Sequence, residues 1–141
     1  MAITATAYPT LALRFLKGEV DFDTAALKVS LHTSTYVPNK DHAYFSDVTN
    51  EVSGTGYTAG GVACTGLVVN YDAVNDRAYL DCNDPGWAAL TLTFRYAVWR
   101  VDSGSSATSP LVAWTDFGAD QSPAGTAVDL LIDATGLVRI A

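Results

Sequence analysis

Residues 27–32 read Leu-Lys-Val-Ser-Leu-His, apolar and polar in strict alternation. Side chains of an extended strand point to opposite faces in turn, so this order predicts a strand with one face buried and the other wet. The strand reading extends to residues 63–71, 77–82, 89–101, 111–117, 127–132 and 137–140. In the longest of these runs Leu90, Leu92, Phe94, Tyr96 and Val98 share one face, and Thr91, Thr93, Arg95, Ala97 and Trp99 the other. Turn-forming Gly, Pro, Ser, Asn and Asp stand between the runs, as in DSGSSATSP and GADQSPAG. Residues 72–76 join one hairpin, DSGSSATSP a second, and Ala134-Thr135-Gly136 a third. Short strands punctuated in this way predict an all-β fold, a single-domain β-sandwich or jelly-roll-like barrel. A chain of 141 residues holds one core of useful size. No repeat or linker divides it, so residues 1–141 are read as one β domain.

One short N-terminal helix precedes the strands, over residues 10–17. Thr10 is its expected N-cap, and Leu11, Phe15 and Leu16 fall on one face at helical spacing. Gly18 after Lys17 supplies the stop, since Gly accepts the left-handed conformation at a helix end. Two turns must dock on something to persist.

The periodicity fails between Ser34 and Gly61, a stretch with Pro38, several Asn and Asp, and four glycines. A single helical turn is expected at Phe45–Val48. An irregular segment this long in a small domain is usually functional. We therefore expect residues 34–61 to be an interaction loop with Tyr36, Tyr44, Phe45 and Tyr57 as its anchors. A buried aromatic anchor contributes about 1–3 kcal/mol.

The net charge of −7 argues against nucleic-acid binding, which needs clustered cations. The five arginines are scattered. Charged residues are 16% of the chain, below the roughly 25% of an average domain, as expected where partner subunits cover surface or where Ser, Thr, Asn and Gly supply the polarity. No run approaches the length of a membrane span, and residues 1–15 lack the basic start of a secretory signal, so synthesis in the cytoplasm is expected.

No residue set suggests chemistry. His32 is expected on the wet face of its strand and His42 in a loop, neither beside a nucleophile motif. Asp21 with Asp23, and Asp81 with Asp84, are read as turn residues rather than a calcium site. Gly54–Gly61 lacks the spacing of a phosphate loop and precedes a strand, so its glycines are read as permitting turns or close backbone approach. Cys64 and Cys82 match no zinc pattern; they flank a hairpin and are read as buried free thiols, a disulfide being the alternative. No catalytic residue, cofactor or metal is expected. Trp87, Trp99 and Trp114 suit core or interface positions, with a sugar-stacking platform as the alternative.

The order LKVSLHTSTYVPN, DVTNEVSGTGYTAGG, NYDAVNDRAYLD, RYAVWR and LVAWTDFG resembles a family of small tailed-phage virion proteins, from about Gly18 to the C-terminus. The most specific piece is NEVSGTGYTAGG following TSTYVPN. The resemblance implies a structural, non-enzymatic protein on the virion, with the capsid surface favoured and a decoration or cement role. The implied partners are the major capsid protein or other virion proteins, and a homo-oligomer, a trimer first. A head–tail connector, a tail component and a glycan-binding adhesion module are the alternatives.

Overall fold

The computed structural model describes residues 1–141. The chain is all-β with one short α-helix. Its strands are β1 (Thr6–Ala7), β2 (Leu27–His32), β3 (Val62–Cys64), β4 (Val68–Asp72), β5 (Arg77–Asp81), β6 (Gly86–Thr91), β7 (Phe94–Val101), β8 (Leu111–Gln121), β9 (Ala124–Asp129) and β10 (Val138–Ile140), with helix α1 at Thr10–Leu16. They form three antiparallel sheets, of five strands in the order β1-β8-β7-β2-β3, three in the order β10-β5-β4, and two, β6-β9.

One face of the large sheet carries Leu27, Val29, Leu31, Ala97, Trp99 and Ala113, set side by side by the β2–β7–β8 register. This face packs with Trp87, Leu90 and Val128 of the two-stranded sheet and Leu80 and Val138 of the three-stranded sheet in one continuous core. The arrangement is sandwich-like, a large layer faced by two small ones.

The opposite face carries Ser30, His32, Tyr96 and Val98, the side that alternation predicts to be wet. It is not wet. Ser30, His32 and Val98 are fully buried. The irregular segment 34–61 folds back over this face, and Tyr36 with partly buried Phe45 and Val48 packs there against Tyr8, Tyr96, Val98 and Leu111. Backbone hydrogen bonds fasten the segment at both margins. Thr33 N donates to Asn50 O at 3.0 Å and Val52 N to Leu31 O at 3.0 Å. Phe45 N donates to Ser109 O at 2.9 Å and Leu111 N to Ala43 O at 3.0 Å. The single turn forms at Phe45–Asp47, where the Asp47 carboxylate accepts the N–H groups of Ala43 and Tyr44.

Further along the segment residues 55–57 lie against β6, and the glycines of NEVSGTGYTAGG permit close backbone approach there and at β2. A Cβ at Gly56 would strike the carbonyl of Ala89, and one at Gly61 the carbonyl of Val29. Both have positive φ, +85° and +74°, where a side chain is strained in any case.

Three expected strand assignments are corrected. The run 89–101 is two strands, because the chain bends at Leu92–Thr93; β6 pairs with β9 and β7 with β8. Residues 63–71 are also split, β3 pairing with β2 and β4 with β5. Residues 127–132 and 137–140 are not a hairpin, since β9 joins β6 whereas β10 joins β5. The β4–β5 and β7–β8 hairpins form as expected.

Helix α1 has Pro9, not Thr10, at its N-cap; the Thr10 hydroxyl donates instead to the His42 carbonyl at 2.7 Å, tying helix to loop. Gly18, at φ +68°, ends it as expected. The N-terminal residues close the structure from outside. β1 pairs with Ala113 and Trp114 near the start of β8, and Ile3 N donates to Leu131 O at 3.1 Å.

Candidate functional site

The expected anchor tyrosines and phenylalanine are built into the chain itself. Tyr36 is 1% exposed. Its hydroxyl bonds that of Tyr8 at 2.8 Å and His42 Nδ1 at 3.1 Å, and its ring meets Tyr96 edge-on at 5.9 Å. Burial raises its pKa above the usual phenol value. Tyr57 is half-buried and stacks on Trp87 at 5.9 Å. Its hydroxyl donates to Glu51 Oε1 at 2.7 Å and accepts the Leu31 N–H at 3.1 Å. Burial, with the Glu51 carboxylate next, raises its pKa. Phe45 lies under the Arg100 guanidinium, 3.8 Å from its ring centre, and Tyr44 under that of Arg14 at 4.7 Å. Arg100 is 4% exposed; it donates to Gly60 O at 2.9 Å, so the cation holds the segment from beneath. Tyr36 thus leaves no ring surface for a partner, and the other three are partly occupied.

His32 is corrected from a surface residue to a buried one. Its Nδ1 lies 2.9 Å from the Thr49 carbonyl, which can only accept, so Nδ1 carries the proton. Nε2 then accepts the Ser30 hydroxyl at 2.8 Å. Burial drives the His32 pKa down from 6.5 to about 4, and the nearby Arg100 charge acts in the same direction. A serine bonded to an oriented imidazole has the form of an activated nucleophile. Here both residues are 0% exposed, so no substrate atom reaches the Ser30 oxygen. The pair spaces and satisfies the inner face of the covering segment.

The remaining sequence candidates have structural positions. No group of three or more His, Cys, Asp or Glu side chains is placed to hold a metal ion. Asp84 accepts the Ile132 N–H at 2.7 Å and Asp81 the Cys82 N–H at 2.9 Å. Cys64 and Cys82 are free and buried. They are neighbours, and the Cys64 thiol, as the donor toward Cys82 and with burial second, is held above its usual pKa. Trp87 and Trp99 are buried, and Trp114 is half-buried against Tyr8 at 4.7 Å, so the tryptophans form no open platform. No helix is long and apolar enough to cross a membrane.

The surface that remains open lies elsewhere. In the three-stranded sheet Val69, Leu80 and Val138 stand in one row across the strands and Tyr71, Ala78 and Ile140 in the next. Leu80 and Val138 close the core, but Val69, Tyr71 and Ile140 are 47%, 58% and 51% exposed. Opposite them stand Phe15 and Leu16 of α1 and, just beyond it, Phe22, whose ring meets Phe15 edge-on at 5.4 Å. The groove between has a volume of about 550 Å³, and its only lining residues that are not hydrophobic are Asp21 and Asp23. Of the ten exposed large hydrophobic side chains, seven lie on α1, the β4–β5 hairpin or β10, Leu16 and Val74 being nearly bare. Sequence reasoning passed over this site, although α1 reads Thr-Leu-Ala-Leu-Arg-Phe-Leu and is apolar nearly all round. A helix of that composition needs cover on more than one side.

No family model, curated protein or solved structure matches this chain.

Proposed function

We propose that this chain is a structural protein of a tailed-phage virion, a capsid decoration or cement subunit that binds the assembled shell and stabilises it through its contacts. The observation that carries the reading is an open apolar groove to which the exposed side chains of Leu16, Val69 and Ile140 contribute. Contiguous exposed apolar patches of this kind mark interaction sites. The resemblance of TSTYVPN and NEVSGTGYTAGG to small virion proteins supplies the particle. The low charged fraction and the acidic balance suit an outer station covered by neighbours and away from packaged DNA. Many weak contacts repeated over a shell add up to a large stabilisation.

The test compares complete capsids with capsids lacking the protein. The latter should rupture at lower temperature and lower salt. Equal thresholds remove the cement role. Imaging of the particle then separates a decoration subunit, present in many copies over the shell, from a connector or tail component confined to one axis.

A further inference from the structure

We propose that the groove between α1 and the three-stranded sheet receives a segment of another protein in which a large apolar side chain is flanked by lysine or arginine. The floor demands the apolar element. Of the lining side chains only Asp21, Asp23 and the single hydroxyl of Tyr79 are polar, so a polar insert would lose its water with little compensation. The rim demands the cations. Asp21 and Asp23 are exposed, and neither joins any of the five ion pairs of the molecule, all of which lie elsewhere. The Asp21 carboxylate accepts the Asp23 N–H at 3.0 Å, which holds the turn with both acids beside the groove.

Charge also decides against a second copy as occupant. Two chains of net charge −7 meeting across this face would bring one pair of unneutralised carboxylates toward another. A basic amphipathic segment meets apolar floor and acidic rim together. The proposal rests on the reading of the chain as a particle subunit only for where that segment is found, namely in a shell protein.

The test uses the isolated protein with three short synthetic peptides, alternating Lys with Leu, Glu with Leu, and Lys with Ser. The Lys-Leu peptide should bind and shift the amide resonances of residues 15–23, 68–71 and 138–140. The Glu-Leu and Lys-Ser peptides should each bind about tenfold or more weaker, the first lacking charge complementarity and the second the apolar anchor. Asp21→Lys combined with Asp23→Lys should weaken the Lys-Leu peptide about tenfold, as should Leu16→Ser. Equal affinity for the Lys-Leu and Glu-Leu peptides overturns the proposal, as do shifts confined to other residues. So does a dimer in sedimentation that Ile140→Asp dissolves, which gives the groove to a second copy. Peptide binding without any change in capsid rupture keeps the groove and removes the cement function. A rupture difference without peptide selectivity does the reverse.

Discussion

The five-stranded sheet and the three-stranded sheet meet the same requirement differently. Each puts one face into the common core, and each has apolar side chains that the core does not cover. On the large sheet the chain covers the face opposite the core itself, with irregular backbone that carries Tyr36, Phe45 and Val48 and is held by a buried arginine, a neutral histidine and three linked side chains, Tyr8, Tyr36 and His42. On the small sheet the core-side face itself is left incomplete: Leu80 and Val138 join the core, while Val69 and Ile140 on the same face line an open groove. A polar-looking face can therefore be interior and an apolar one exterior, so the alternation of a strand tells which residues share a side but not what lies against it.

Substitutions that disturb the covered face should be costly and those at the open face nearly silent in the isolated protein. The largest effect is expected for Gly61→Ala, which forces a Cβ into the Val29 carbonyl at a left-handed backbone position. It should cost on the order of 4 kcal/mol in denaturant unfolding, or leave no folded protein. Wild-type stability there would mean that the covering segment does not lie as described.

Acid should act next. His32 is neutral in the fold, with a pKa of about 4 against 6.5 when free, so between those values the unfolded chain binds more protons. Stability should be full above pH 6.5 and fall as the pH drops toward 4, by about 3 kcal/mol, then show no further contribution from this residue. Urea midpoints across that range, with His32→Gln as the non-titrating comparison, check the slope. An identical slope in both proteins would assign the acid sensitivity to other groups.

Tyr36→Phe removes the hydroxyl that joins Tyr8 to His42 and keeps the ring against Tyr96. A loss of about 1 kcal/mol is expected. At the open groove and just beside it, Leu16→Ser and Tyr71→Ser should change the unfolding free energy by less than about 0.5 kcal/mol while reducing attachment to particles. A large destabilisation from either would place these side chains in the chain's own core and erase the contrast between the two sheets.

Much of the fold was legible in the sequence because it depends on local chemistry. The alternation of Leu27–His32, the turn at residues 72–76 and Gly18 at the helix end each specify their element without reference to the rest. Pairing was less legible. The run 89–101 alternates without interruption across the bend at Leu92–Thr93, where the chain leaves one sheet for another; Gly54 passes so close there that a Cβ would meet the Thr91 carbonyl at 2.7 Å. A corner set by a distant glycine leaves no mark on local periodicity. The same holds for residues 133–136, a tight turn that delivers β10 to β5 rather than back to β9. The groove was missed for a related reason. Aromatics in an aperiodic loop drew the eye as anchors, whereas the open surface is assembled from ordinary Val, Leu and Ile in regular elements whose exposure depends on what the rest of the chain fails to cover.

The pairing of β1 with β8, and of Ile3 with Leu131, sets an order of events during synthesis. Residues 3–7 find their partners only after more than a hundred later ones have emerged, and β5 waits for β10 from a shorter distance. Such distant closures fold slowly and leave sticky intermediates in the meantime. Slow translation in a cool culture should therefore raise the soluble yield of this protein, because it shortens the queue of half-finished chains relative to the time each one needs to close its seam.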